Sequence, residues 1–197
     1  MALVRRARVS KPADTPARLT AEQVRELYEA RARAELAEAD ALAPGSDAVA
    51  SDGALLAEVV LVKGLAGPAE ATGGAALSGP DGEAALKALE ALGWSGDEAF
   101  RTLSRPEPGI PAEKRGDRLR MQIEAVDPAL VLALDVDAAA DLAEAFGIAQ
   151  PRFGEAVRVL GRRIVAVDGL EASLGDSARK KRVWRQLQAA KAEGPVY

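Results

Sequence analysis

The stretch 58-EVVLVKGLAGPAEATGGAALSGPDGEAALKALEALG-93 decides the fold. Val59, Val60, Leu61 and Val62 form a short unbroken apolar run, the pattern of a strand covered on both faces. Gly64, Gly67, Pro68, Gly73, Gly74, Gly79 and Gly82 follow and predict a glycine-rich loop. A helix then places Leu86, Leu89 and Leu92 on one face, with Gly93 as its C-terminal cap. A strand–loop–helix unit of this kind sets backbone N–H groups at the carboxyl end of a sheet, where ligands bind.

Working outward, the flanking pattern alternates. Thr20 and Gln23 form a capping box for an N-terminal helix running to about Ala41, and residues 44–53 read as a loop. Ser95-Gly96-Asp97-Glu98 reads as a second capping box opening a short helical turn that carries Phe100. Residues 104–116, with three prolines, read as irregular. An amphipathic helix is expected over 117–126, with Leu119, Ile123 and Val126 inward and Asp127-Pro128 ending it. Leu130 to Leu134 is a second buried strand. Asp135 or Asp137 then caps a helix that stops at Gly147. The runs 156–160 and 164–167 are strand-like and close enough for a hairpin. A last helix over about 177–190 turns Val183, Trp184 and Leu187 inward. The expectation is a three-layer α/β/α fold with a mostly parallel four-stranded sheet. A flexible basic arm is expected over residues 1–19 and one domain over 20–197, in which 20–53 is the N-terminal helix and loop.

Composition narrows the chemistry. Apolar residues make up 48% of the 197, enough for a packed core, and no apolar run is long enough to span a bilayer. A soluble cytoplasmic protein with no membrane partner is the expectation. Cysteine and histidine are absent, which removes thiolate nucleophiles, histidine-based triads and the usual zinc and iron–sulfur ligands. No cofactor is expected. No lysine followed by serine or threonine closes the glycine-rich loop, so a phosphate-binding P-loop is not formed, and the G-x-G-x-x-G dinucleotide spacing is also missing.

Several pieces in order resemble the uracil-DNA glycosylase superfamily, especially its bacterial, iron–sulfur-type branches. They are 64-GLAGPAEATGGAALSGPDG-82, Arg105-Pro106, 119-LRMQIEAVDP-128, 130-LVLAL-134, 138-AAADLAEAF-146, and 163-RIVAVDGLEASL-174 leading to Lys181, Trp184 and Leu187. The resemblance implies that fold and a base pocket formed by Gly64, Leu65, Ala66, Gly67, Pro68, Leu77, Asp168 and Gly169. It also implies that the functional positions are altered. Leu65 stands at the place of the water-activating acid, Leu77 at that of the base-stacking aromatic, and Asp168-Gly169 at that of the His-Pro pair. The polar residue that reads the uracil edge has no secure counterpart near Thr102 to Ser104, and the cluster cysteines are missing. An aspartate opposes the charge of a departing base anion, so a catalytically degenerate relative is implied.

The remaining alternative is an active base-excision enzyme using Glu70 or Asp168. Those two residues also read more simply, Glu70 as a solvated loop glutamate and Asp168 as a cap or turn residue after a strand. Residues 151–191 hold ten lysines and arginines against four acids, in a chain of net charge −4. Within that patch Arg162, Arg163, Arg179, Lys180, Lys181 and Arg182 are the expected DNA contacts, though a basic run is also the ordinary look of a solvated helix face. The functional expectation is a DNA- or protein-binding module in DNA repair or replication.

Overall fold

The computed structural model describes residues 19–191. The basic arm expected at the N-terminus lies outside them, Leu19 excepted. Thirteen elements follow in order: α1 (Ala21–Asp40), β1 (Val59–Lys63), α2 (Pro68–Ala71), α3 (Pro80–Ala91), β2 (Phe100–Leu103), α4 (Ala112–Val126), β3 (Leu130–Ala133), α5 (Val136–Phe146), β4 (Ala156–Val159), β5 (Arg162–Ala166), α6 (Leu170–Ser173), α7 (Ser177–Leu187) and a 3₁₀ turn (Gln188–Ala190).

The sheet has five strands in the order β2-β1-β3-β5-β4. The first four are mutually parallel, and β4 pairs antiparallel with β5 across a tight turn at Leu160-Gly161. Every residue of β1, β3 and β5 is buried, as their near-continuous apolar runs require of strands covered on both sides. Side-chain alternation then divides the core. Val59, Leu61, Leu130, Leu132, Val165 and Val167 face α3, α6 and α7. Val60, Val62, Val131, Ala133, Ile164 and Ala166 face α1, α4 and α5. Helices therefore cover both faces.

The sheet has one strand more than expected, because Phe100–Leu103 is β2 and not a helical turn. The local capping signal at Ser95 to Glu98 loses to register with β1, where Phe100 to Leu103 align with Val60 to Lys63. The outer edge of β2 is covered in turn. Asp52 exchanges both backbone hydrogen bonds with Arg101, and its carboxylate meets the Arg101 guanidinium. α4 begins at Ala112, five residues earlier than the apolar pattern suggests, and only the segment before it is irregular.

Caps fall where the sequence places them. Thr20 and Gln23 close the capping box of α1, Asp135 caps α5, and Gly147 ends α5 in the left-handed region. Within the glycine-rich loop, Gly82 has a packing reason. A methyl group there would lie 1.8 Å from the backbone oxygen of Leu77. Gly82→Ala should therefore cost about 1–3 kcal/mol of stability, as overpacking does when backbone is in the way. A fall in the urea midpoint at unchanged slope is the expected reading.

Candidate functional site

The chain leaves β1 toward β2 on one side and reaches β3 on the other. The strand order thus reverses between β1 and β3, and the loops beyond their carboxyl ends diverge to opposite faces of the sheet. Such a divergence opens a crevice. Here it is a half-open cleft of about 370 Å³, bordered by Lys63 at the end of β1 with Leu65 and Ala66 beyond it, by Leu134, Asp135 and Asp137 after β3, and by Gly169 to Ala172 after β5. That volume is at the lower end of the range for small-molecule sites.

Lys63 is the centre of this end of the molecule. It closes β1 and is 4% exposed. Its ammonium donates to Asp81 at 2.7 Å, and Glu171 and Glu70 stand at 3.0 and 3.6 Å. Burial alone would depress the lysine pKa, but the bonds to Asp81 and Glu171 and the charges of Asp81 and Glu70 outweigh it and hold the value above normal. Asp81 and Glu171 lie within hydrogen-bond reach of the ammonium, and the Glu70 carboxylate adds charge from 3.6 Å. Across the cleft, Asp135 accepts from the N–H groups of Ala138 and Gly64, both at 2.8 Å. Burial raises its pKa, and those two bonds only partly oppose the rise.

Glu70 is buried and not solvated. One oxygen accepts from the Gly67 N–H and the other from the Leu77 N–H, each at 2.9 Å. The residue folds the glycine-rich loop back on itself, with Pro68 opening α2 between the two bonds. Each oxygen serves the backbone of its own loop, and the side chain is 4% exposed.

The residues expected to share a base pocket separate into three environments. Leu65, Ala66 and Gly169 line the cleft. Leu77 does not. It is 1% exposed, has a positive φ of 57°, and packs into the core facing α3. Asp168 turns away from the cleft, one carboxylate oxygen lying 3.5 Å from Arg182 on α7 while its N–H donates to Gln186. Gly64 and Gly67 are held by the bonds already described. The carboxylates bordering the cleft are Asp81, Asp135, Asp137 and Glu171, against the single ammonium of Lys63. The interior is acidic and repels an anion. Among the described residues no group of three or more acidic side chains is arranged to hold a metal ion.

Behind the cleft, Asp141 ties the sheet to two helices. It accepts from the Ser104 hydroxyl at 2.6 Å and from Arg105 at 2.9 and 3.1 Å, and it pairs with Arg115 at 3.0 Å. Thr102 is also committed, donating to Gln122 at 2.8 Å. Thr102 and Ser104 are both fully buried.

The expected basic patch is divided too. Arg162 and Arg163 lie in β5 and are buried. Arg162 reaches Asp127 and lies over the Phe146 ring, while Arg163 donates to the Lys191 carbonyl and lies over the Trp94 ring. These contacts on the two faces of the sheet hold both side chains, at 6% and 9% exposure, away from a phosphate backbone. α7 is different. It carries Arg179, Lys180, Lys181, Arg182 and Arg185 and no acidic residue. Lys180, Lys181 and Arg185 are exposed and make no ion pair among the described residues. α1 shows the contrast, with Arg25 and Arg31 each bonded to a glutamate one turn on.

Compared with known proteins, the chain matches no family model and no curated sequence. Among the described residues no helix is long and apolar enough to cross a membrane.

Proposed function

We propose that the protein is a non-hydrolysing DNA-binding module on a three-layer, uracil-DNA glycosylase-like framework, acting within a DNA repair or replication assembly, and that α7 is the face that meets DNA. The observation that carries this reading is the exposed, unpaired trio Lys180, Lys181 and Arg185 on α7 in a protein of net charge −4. Helix stability gives no reason for it. Arg179 and Lys180 sit in the first turn, where the helix dipole disfavours cations by a few tenths to about 1 kcal/mol each. Only Asp176, which caps α7 by accepting from the Ala178 and Arg179 N–H groups, offsets this locally. Exposed cations toward the disfavoured end of a helix suit a polyanion.

Support for the non-hydrolysing half comes from the cleft. Removing a base requires donors aimed at a developing anion. The cleft offers carboxylates, its one ammonium is already ion-paired to Asp81 and Glu171, and Leu77 is packed away in the core. An active glycosylase working through Glu70 or Asp168 has less behind it. Both Glu70 oxygens are held by backbone, and Asp168 faces Arg182.

Fluorescence anisotropy with a labelled oligonucleotide tests the DNA face. Affinity should fall steeply with salt. Lys180→Glu with Lys181→Glu should weaken binding at least about tenfold at 50 mM salt and flatten the log–log salt slope by about 2, roughly one for each phosphate no longer neutralised. Unchanged binding in that double variant would move the interface elsewhere. A uracil-containing strand treated with alkali after incubation should remain whole. Cleavage abolished by Asp168→Asn would overturn the non-hydrolysing reading.

A further inference from the structure

We infer that the nucleic acid taken by α7 is single-stranded, and that an unpaired base stacks on Trp184; this rests on the DNA-binding reading above. Val183 and Leu187 anchor α7 in the core. Trp184 lies beside them but is 38% exposed, although the sequence pattern would turn it inward. The chain has only two tryptophans. The other, Trp94, is engaged in the fold. Its indole N–H donates to the Ala190 carbonyl, and the Arg163 guanidinium lies 5.6 Å from its ring. Trp184 makes no hydrogen bond or ring contact among the described residues.

The placement of Trp184 matches one kind of ligand. Lys180 and Lys181 precede it by four and three residues, so they share its face of the helix, and Arg185 adjoins it. Cations that track a backbone, set around an aromatic ring that receives a base face, are the recurring elements of single-strand binding. A duplex would engage the cations but leave the ring idle, because its bases are already stacked on one another. An anionic membrane would also attract the cations. It would need an apolar helix face to insert, however, and here Val183, Leu187 and Ala190 are buried in the core.

The test compares a fluorescent oligo(dT) with a duplex of equal length, using the full chain. Oligo(dT) should bind more tightly. Trp184→Ala should weaken it about 5- to 150-fold, the range for losing one stacked base, while duplex affinity and both salt slopes stay unchanged. Trp184→Phe should restore most of the loss. In a Trp94→Phe background, oligo(dT) should quench the remaining tryptophan emission. An unaltered oligo(dT) affinity in Trp184→Ala, alongside weaker binding of both DNAs in the Lys180→Glu, Lys181→Glu variant, would remove the stacking role and leave the DNA face standing. Failure of the unmodified protein to bind either DNA would overturn both readings. Binding instead to phosphatidylserine vesicles, with a blue shift of Trp184 emission, would reassign the face to a membrane surface.

Discussion

Replacing Lys63 by methionine should destabilise the protein by about 3–5 kcal/mol, the cost of removing one partner from a buried ion pair. The upper part of that range applies. Glu70 and Asp81 are each 4% exposed, so neither can turn to water when the ammonium is lost. Glu171 is half-exposed and can escape. The pH dependence separates this charge effect from simple loss of packing. Lys63 has a folded pKa above its ordinary 10.5. A raised lysine value means its stabilisation is fully present below the unfolded value and is lost as pH rises through the folded one. The gap between the unmodified protein and Lys63→Met should therefore stay constant through neutral pH and narrow only above about 10.5. Urea denaturation between pH 7 and 11 gives the comparison. A gap that stayed the same across that range would mean Lys63 acts through packing alone.

Asp141→Ala should cost about 3 kcal/mol, the lower end of the same range. Asp141 joins the end of β2 to α4 and α5. Its removal leaves the buried Ser104 hydroxyl without that acceptor, but the two guanidiniums keep other partners: Arg105 retains Asp137, and Arg115 retains Glu144. That redundancy places the effect below that of Lys63. Asp141→Asn keeps an acceptor for Ser104 and should fall between the two. The loss should also appear as faster amide exchange in residues 104–108, which the Asp141–Arg105 clamp holds against the body. Equal exchange in that segment would show that the clamp is dispensable there.

What is legible in the sequence depends on how local the cause is. β1, β3 and β5 stand out because strands buried on both faces need apolar runs, and Val59–Val62, Leu130–Ala133 and Ile164–Val167 supply them. Thr20, Asp135 and Gly147 stand out because a cap acts within four residues. β2 is hidden. It has four residues, one of them Arg101, and it becomes a strand only through register with β1 and cover from Asp52. The Lys63 centre is hidden for the same reason, since its partners come from positions 70, 81 and 171. A lysine ending a buried apolar run just before a glycine is the one available clue, because such a cation needs counter-charges from elsewhere. Counting charges overestimates the basic surface. Arg162 and Arg163 add to the total, but groups packed on the two faces of β5 bury them. Helical periodicity errs the opposite way at Trp184. It suggests an inward ring, whereas Val183 and Leu187 already fill the available core beneath α7.

On the DNA-binding reading, the exposed cations of α7 also bear on how a partner approaches. The protein has a net charge of −4, while Lys180, Lys181 and Arg185 stand exposed and unpaired along one helix. Collisions with a polyanion should favour that helix, and their rate should fall with added salt more than that of an evenly charged protein of equal size.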